Sequence, residues 1–460
     1  MPIITPMKNK PYAWVPSLYL AEALPYVAVM VIATTMYKRL GLSNTDLALY
    51  TSWLYLPWVI KPLWSPFVAA IKTERWWVLL MQLFIGAGFA GIAFTLPTSY
   101  WLQGSLAFFW LLAFASATHD IAADGLYILG LDSHDQSLYV GIRSTFYRIG
   151  TIFGQGLLVM LAGWLERSNT IPMAWSITFF VLAGAFLALW LWHILSLPKV
   201  KCSAEAAVEC EDNQVAHAYM GEDITAHRQQ SMFTEFWLAL KTFFTKPHIL
   251  TALLFMLLFR FPEGQLVKIA NPFLLDTPEA GGLALSTEAV GFVYGTVGII
   301  GLTIGGLLGG WCVSRHGLKR WLWPMVLSIS LPDLVYVYLS YAAPSFSAVF
   351  AETSSFSIFN LQFSIINLCV FIEQFGYGFG FTAYMLYLVY FSQGERSTAV
   401  FSICTAMQAL GMMLPGMIAG WMADRLGYLG FFWWVMACCL VTFAVSAFIK
   451  IDPDYGKKQK

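Results

Sequence analysis

Asp120 and Asp124 stand one helical turn apart within Trp101–Leu131, a stretch that carries no other full charge. Their flanks, WLQGSLAFFWLLAFASAT and LYILGL, make an apolar run long enough to cross a bilayer as a helix. A charged side chain at that depth costs about 2.5–3.5 kcal/mol on insertion scales, so it normally faces a water-filled path and serves a function. Two carboxylates this close also disfavour simultaneous ionisation, which suits them to taking up and losing a proton. Tyr127 continues the same face at i+7. The competing reading is structural: the pair is held by Arg143 or Arg148.

Other isolated charges recur among apolar runs: Glu22, Lys61, Arg143, Arg148, Arg260, Glu263, Lys268 and Glu373. Arg148, Thr151 or Ile152, and Gln155 share a helical stripe. The planar guanidinium of Arg148 suits a carboxylate or an acetamido oxygen, or holds Asp120 and Asp124 ionised. Arg143 lies nearer the end of its run and reads as a structural partner. Arg260, Glu263 or Gly264, Val267 and Asn271 form a second stripe, interrupted by Pro262, whose missing N–H opens the helix. Arg260 and Glu263, at i,i+3, can also simply neutralise each other. Lys268 points roughly 140° away from Glu263 and receives no role. A third stripe holds Glu373, Tyr377, Gly380, Tyr384 and Tyr387. Phenol rings offer apolar faces to sugar rings, while carboxylates and hydroxyls take sugar OH groups. Because 17% of the chain is aromatic, a packing stripe is the alternative there.

The elements that must position these residues are membrane helices. Of 460 residues, 58% are hydrophobic and 11% charged, against about 25% charge in soluble domains. Apolar runs fall at 12–37, 46–70, 76–96, 101–130, 140–164 and 172–197, and again at 248–275, 286–312, 321–342, 364–391, 397–421 and 427–449. Twelve transmembrane helices are therefore expected in an all-α protein, the first a retained span and not a cleaved leader. With both termini inside, seventeen Lys and Arg lie in cytoplasmic segments, and only Lys38, Arg39, Arg167 and Arg425 lie outside. That asymmetry satisfies the positive-inside rule. Zero net charge argues against a nucleic-acid partner or any strongly charged partner surface. The seven cysteines show no metal spacing, and no cofactor is expected.

The runs fall into two halves, 1–197 and 248–460. Between them, 198–247 reads as a solvated cytoplasmic linker that ends in an interfacial helix, with Phe233, Trp237, Leu240 and Phe244 on one face. The halves echo each other. AGWLER (162–167) matches AGWMADR (419–425), RST at 143–145 matches RST at 396–398, and the same offset of 253 carries Asp120 onto Glu373. Two repeated six-helix bundles are the arrangement of transporters that rock around a midplane site.

Two resemblances follow. GGWCVSRHGLKR (309–320) resembles the loop signature of the major facilitator superfamily, with Ser314 in the usual aspartate position. LYLAEALPYV, PWVIKPLWSP, HDIAADG, YRIG, FRFPEG and EQFGYGFGFTAYMLYL, in that order over both halves, resemble AmpG-type muropeptide permeases. The resemblance implies the major facilitator fold and a proton-driven importer of GlcNAc-anhydro-MurNAc peptides in the bacterial inner membrane. The chain departs at Glu22 and at Pro262–Glu263, where such permeases often carry a small polar residue and Gly-Asp. Expected proton-coupling residues are Asp120, Asp124, Glu373 and Glu263. Expected substrate contacts are Arg148, Gln155, Arg260, Asn271, Tyr377, Tyr384 and Glu22. The expected partners are a small glycan or glycopeptide, protons and the lipid bilayer, with the protein a monomer. Rival expectations are a permease for another oligosaccharide or an acyl-CoA-like anion and, more remotely, a membrane acyltransferase built on His119–Asp120.

Overall fold

The computed structural model describes residues 10–131, 133–199, 234, 237–352, 361–394 and 396–456, and no strand occurs among them. Nine of their helices are long and apolar enough to cross a bilayer. One of the nine, Ala399–Phe448, contains two runs. They meet at Gly427, whose φ of 66° is a left-handed backbone that glycine takes without strain. Leu361–Ser392 and the paired pieces Asn44–Trp53 and Leu56–Ile71 add two further runs. The twelve expected spans are thus all helical. Most of the expected linker 198–247, including Phe233, lies outside the described residues.

Several spans are broken where proline or a change of winding requires it. Span two stops at Trp53 and resumes at Leu56, because Pro57 has no N–H for the Trp53 carbonyl. Span seven runs Ile249–Leu258 and Phe261–Leu275. There Pro262 withholds the donor that Leu258 would need, as its position in the sequence predicts. Spans one, five and eight each contain π-wound turns, at Ala28–Ile32, Ile152–Leu158 and Val293–Gly298. Such turns insert an extra residue and rotate everything beyond them.

By contact the chain divides into two compact units. One comprises residues 1–29, 60–154 and 175–238, and the other 30–59, 155–174 and 239–460. The division cuts spans one and five inside their π turns. In the first unit, Trp14, Leu18, Val68, Val78, Ala122 and Leu126 are buried and hold spans one to four together. In the second unit, the far ends of spans one, two and five pack directly on second-half helices. A Cβ placed on Gly295 would lie 2.0 Å from the Gly156 Cα, and one on Gly420 would lie 1.8 Å from the Asn44 carbonyl oxygen. These backbones approach closer than any side chain allows.

The described part of the expected interfacial helix, 237–245, is helical. It buries Ala239 and Phe243 against second-half helices, while Trp237 and Phe244 remain 66% and 53% exposed. An exposed aromatic stripe on a helix anchored by its other face fits the membrane interface.

Candidate functional site

In the first unit, four helices bring ionisable side chains to one level. Span one contributes Tyr19 and Glu22 at i,i+3, span two Lys61, span four Asp120 and Asp124, and span five Arg143. The Lys61 ammonium is bonded to the Asp120 carboxylate. Arg143 reaches Asp124 at 2.7 Å. Tyr19 donates its hydroxyl to the same Asp124 oxygen over 3.2 Å. The Arg143 guanidinium also lies over the rings of Tyr19 and Tyr127, at 4.4 and 5.4 Å from their centroids. Glu22 faces Asp120, and its Oε2 is enclosed without a hydrogen-bond partner. Span one can approach span five this closely because Gly150 and Gly154 present no side chain to Ala23 and Val27.

A buried network lies beside this cluster. Gln82 contacts both His119, at 3.1 Å, and His193, at 2.8 Å, and His193 reaches Ser17 at 3.0 Å. His119 and His193 are fully enclosed, and these contacts hold spans one, three, four and six around the carboxylates.

The second unit holds another polar group. Arg260, in the gap that Pro262 opens, makes a two-pronged contact to Glu263 at 2.8 and 3.1 Å. It also donates to the Tyr377 hydroxyl over 2.7 Å and lies over the Phe381 ring. Deeper in the same unit, Glu373 accepts from Tyr336 at 3.3 Å and from Gln374 at 2.9 Å. Tyr336 in turn contacts Tyr294. Lys268 is enclosed and donates to Thr51 over 3.0 Å. Asn271 reaches Thr35 at 3.4 Å.

A third set of charges joins the far ends of spans one, two and five to one another and to second-half residues, all within the second unit. Lys38 pairs with Asp276 at 2.6 Å, Arg39 with Glu166 at 2.9 Å, and Arg167 with Glu288. Thr287 donates to Glu166 over 2.8 Å. The Thr45 amide and hydroxyl both bond Asp424, at 2.9 and 2.6 Å.

The structure therefore gathers Glu22, Asp120 and Asp124 in one cluster, and Arg260, Glu263 and Tyr377 in another. Arg148 lies half-buried on span five in the first unit, whereas Gln155 falls beyond the division, in the second. Tyr384 is fully enclosed, donates to the Met256 carbonyl over 2.6 Å and stacks on Phe259. Sequence reasoning noted Lys61 as an isolated charge but gave it no role, and it did not single out Tyr19 or Tyr336. For Lys61 a signal existed, a lone cation set between prolines in PWVIKPLW. The tyrosines had none in so aromatic a chain.

The sequence model of the Major Facilitator Superfamily matches residues 17–371. The chain belongs to this superfamily. Among its relatives, a protein of Rickettsia conorii described as putative transporter AmpG 4 is 23% identical over 435 residues, covering 92% of each chain. The anhydromuropeptide permease of Escherichia coli is 23% identical over 414 residues, 88% of this chain and 73% of that one. Among solved structures, a D-xylose–proton symporter aligns with a TM-score of 0.65 at 12% identity, over 97% of this chain and 99% of that one, which shows the shared fold. This is a multi-pass membrane transporter of the major facilitator type, and its relatives are transporters, not enzymes.

Proposed function

We propose that the protein imports a sugar conjugate of the anhydro-muropeptide type in symport with protons, across the bacterial inner membrane and with both termini cytoplasmic. The observation that carries the coupling is the five-charge cluster of Glu22, Lys61, Asp120, Asp124 and Arg143. Charges held within membrane spans are retained for transport chemistry more readily than for stability. The substrate class rests on the AmpG-named relatives, which align over most of the chain. Glu263 and Glu373 are secondary proton-coupling candidates. Arg148, Gln155, Arg260, Asn271, Tyr377, Tyr384 and Glu22 are the proposed substrate contacts, and Arg260 with Tyr377 is a directly bonded pair among them. The repeat halves 1–197 and 248–460 are proposed as the two bundles of a monomeric transporter.

The test is uptake of a labelled panel into proteoliposomes, with and without an inward proton gradient. The panel holds GlcNAc-anhydro-MurNAc peptides, plain oligosaccharides and an acyl-CoA. The expected result is accumulation of the anhydro-sugar conjugate that a protonophore abolishes. Accumulation that follows sodium, or of a different panel member alone, would overturn the coupling or the substrate respectively.

A further inference from the structure

The first-unit cluster holds three carboxyls and two bonded cations, and the imbalance singles out one acid. Asp120 is bonded to Lys61, and Asp124 to Arg143. Glu22 is 7% exposed and faces Asp120, with one of its oxygens enclosed and unpartnered. Two ionised carboxylates facing each other away from water repel, so one of the pair takes the proton. Asp120 already has an ammonium against it, so the proton belongs to Glu22. We infer that Glu22 carries the coupling proton, shared with Asp120, while Lys61 and Arg143 keep the two aspartates ionised. The inference rests on the proton-coupled reading above and deepens it, and it moves Glu22 from the substrate contacts to the proton path.

The groups that face Glu22 fit this assignment. Tyr19 lies on its own helix, Asp120 and Asp124 on span four, Lys61 on span two, and Arg143 and Tyr147 on span five. With Glu22 protonated, two negative and two positive charges balance, and the cluster is neutral. When the proton leaves for water, one uncompensated negative charge remains. A neutral cluster tolerates enclosure, whereas a charged one needs solvent or a counter-ion. Enclosing the site during transport therefore requires the proton, which is what ties substrate movement to proton movement.

Two measurements test this on the full-length protein in lipid. In proteoliposomes supplied with labelled GlcNAc-anhydro-MurNAc tripeptide, Glu22→Gln should lose gradient-driven accumulation at least tenfold. Exchange of labelled for unlabelled substrate at equal pH should persist in that variant. Glu279→Gln, at an exposed acid outside the cluster, should still accumulate substrate above equilibrium. Independently of any substrate, infrared difference spectra should show a protonated-carboxyl carbonyl band in the parent that is absent from Glu22→Gln and retained in Glu279→Gln. If the parent fails to respond to the gradient, the coupled reading falls, while the infrared result still reports on Glu22. If the parent responds and Glu22→Gln accumulates equally well, or keeps the band, the assignment to Glu22 is overturned.

Discussion

Lys61 decides how the carboxylate cluster is held, although nothing in its immediate sequence names its partner. Its side chain is 22% exposed and that of Asp120 23%, so the pair is partly shielded from water. Removing one member of a buried pair costs about 3–5 kcal/mol, because the other charge is left uncompensated. Lys61→Met should therefore lower thermal stability in detergent clearly, and Lys61→Met combined with Asp120→Asn should recover most of the loss. Equal stability of the single variant and the parent would mean that water already satisfies Asp120. The sequence made the acids legible, since charge is rare in apolar runs. It did not reveal which cation faces which acid, because helical periodicity assigns a face to each residue but no neighbour to the helix. Asp124 meeting Arg143, with Asp120 taken by Lys61 from span two, is a fact of tertiary packing.

At the scale of the helix, the same limit takes another form. Arg148 and Gln155 share a stripe at a regular 3.6-residue period, yet they fall in different compact units. The π turn at Ile152–Leu158 begins between them and shifts the register of all that follows. No composition rule marks such a turn, whereas the breaks at Pro57 and Pro262 could be read directly from a missing N–H. The π turns of spans five and eight meet at Gly156 and Gly295. A methyl on Gly295 would lie 2.0 Å from the Gly156 Cα, and one on Gly156 would lie 3.1 Å from the Gly295 carbonyl oxygen. Gly295→Ala should therefore cost about 1–3 kcal/mol, as overpacking does, and Gly156→Ala distinctly less. Thermal unfolding of the two variants checks that order, and the reverse order would show that the backbones relax apart.

At the scale of the molecule, the twelve helices were readable, because bilayer thickness imposes length and apolarity on every span. The four basic residues that cytoplasmic termini would place outside looked like exceptions to the charge rule. Three of them are now accounted for by acids: Lys38 by Asp276, Arg39 by Glu166 and Arg167 by Glu288. The fourth, Arg425, lies over the Trp421 ring at 5.0 Å. Their placement was visible in the sequence, but the pairing was not, since the partners are as many as 238 positions away along the chain.

These pairs also make the protein responsive to something other than protons or substrate. Arg167 keeps 58% of its side chain in solvent, and exposed pairs are screened over a Debye length of about 8 Å at physiological salt. The helix ends that they fasten should separate more readily as the ionic strength of the medium rises. At a fixed pH gradient, a roughly tenfold increase in external salt should raise the opening rate of the parent. Asp276→Asn with Glu288→Gln should open faster at low salt and lose the dependence. A transporter fastened in this way reads the saltiness of its surroundings through its turnover, and cells in dilute media would keep it shut longer.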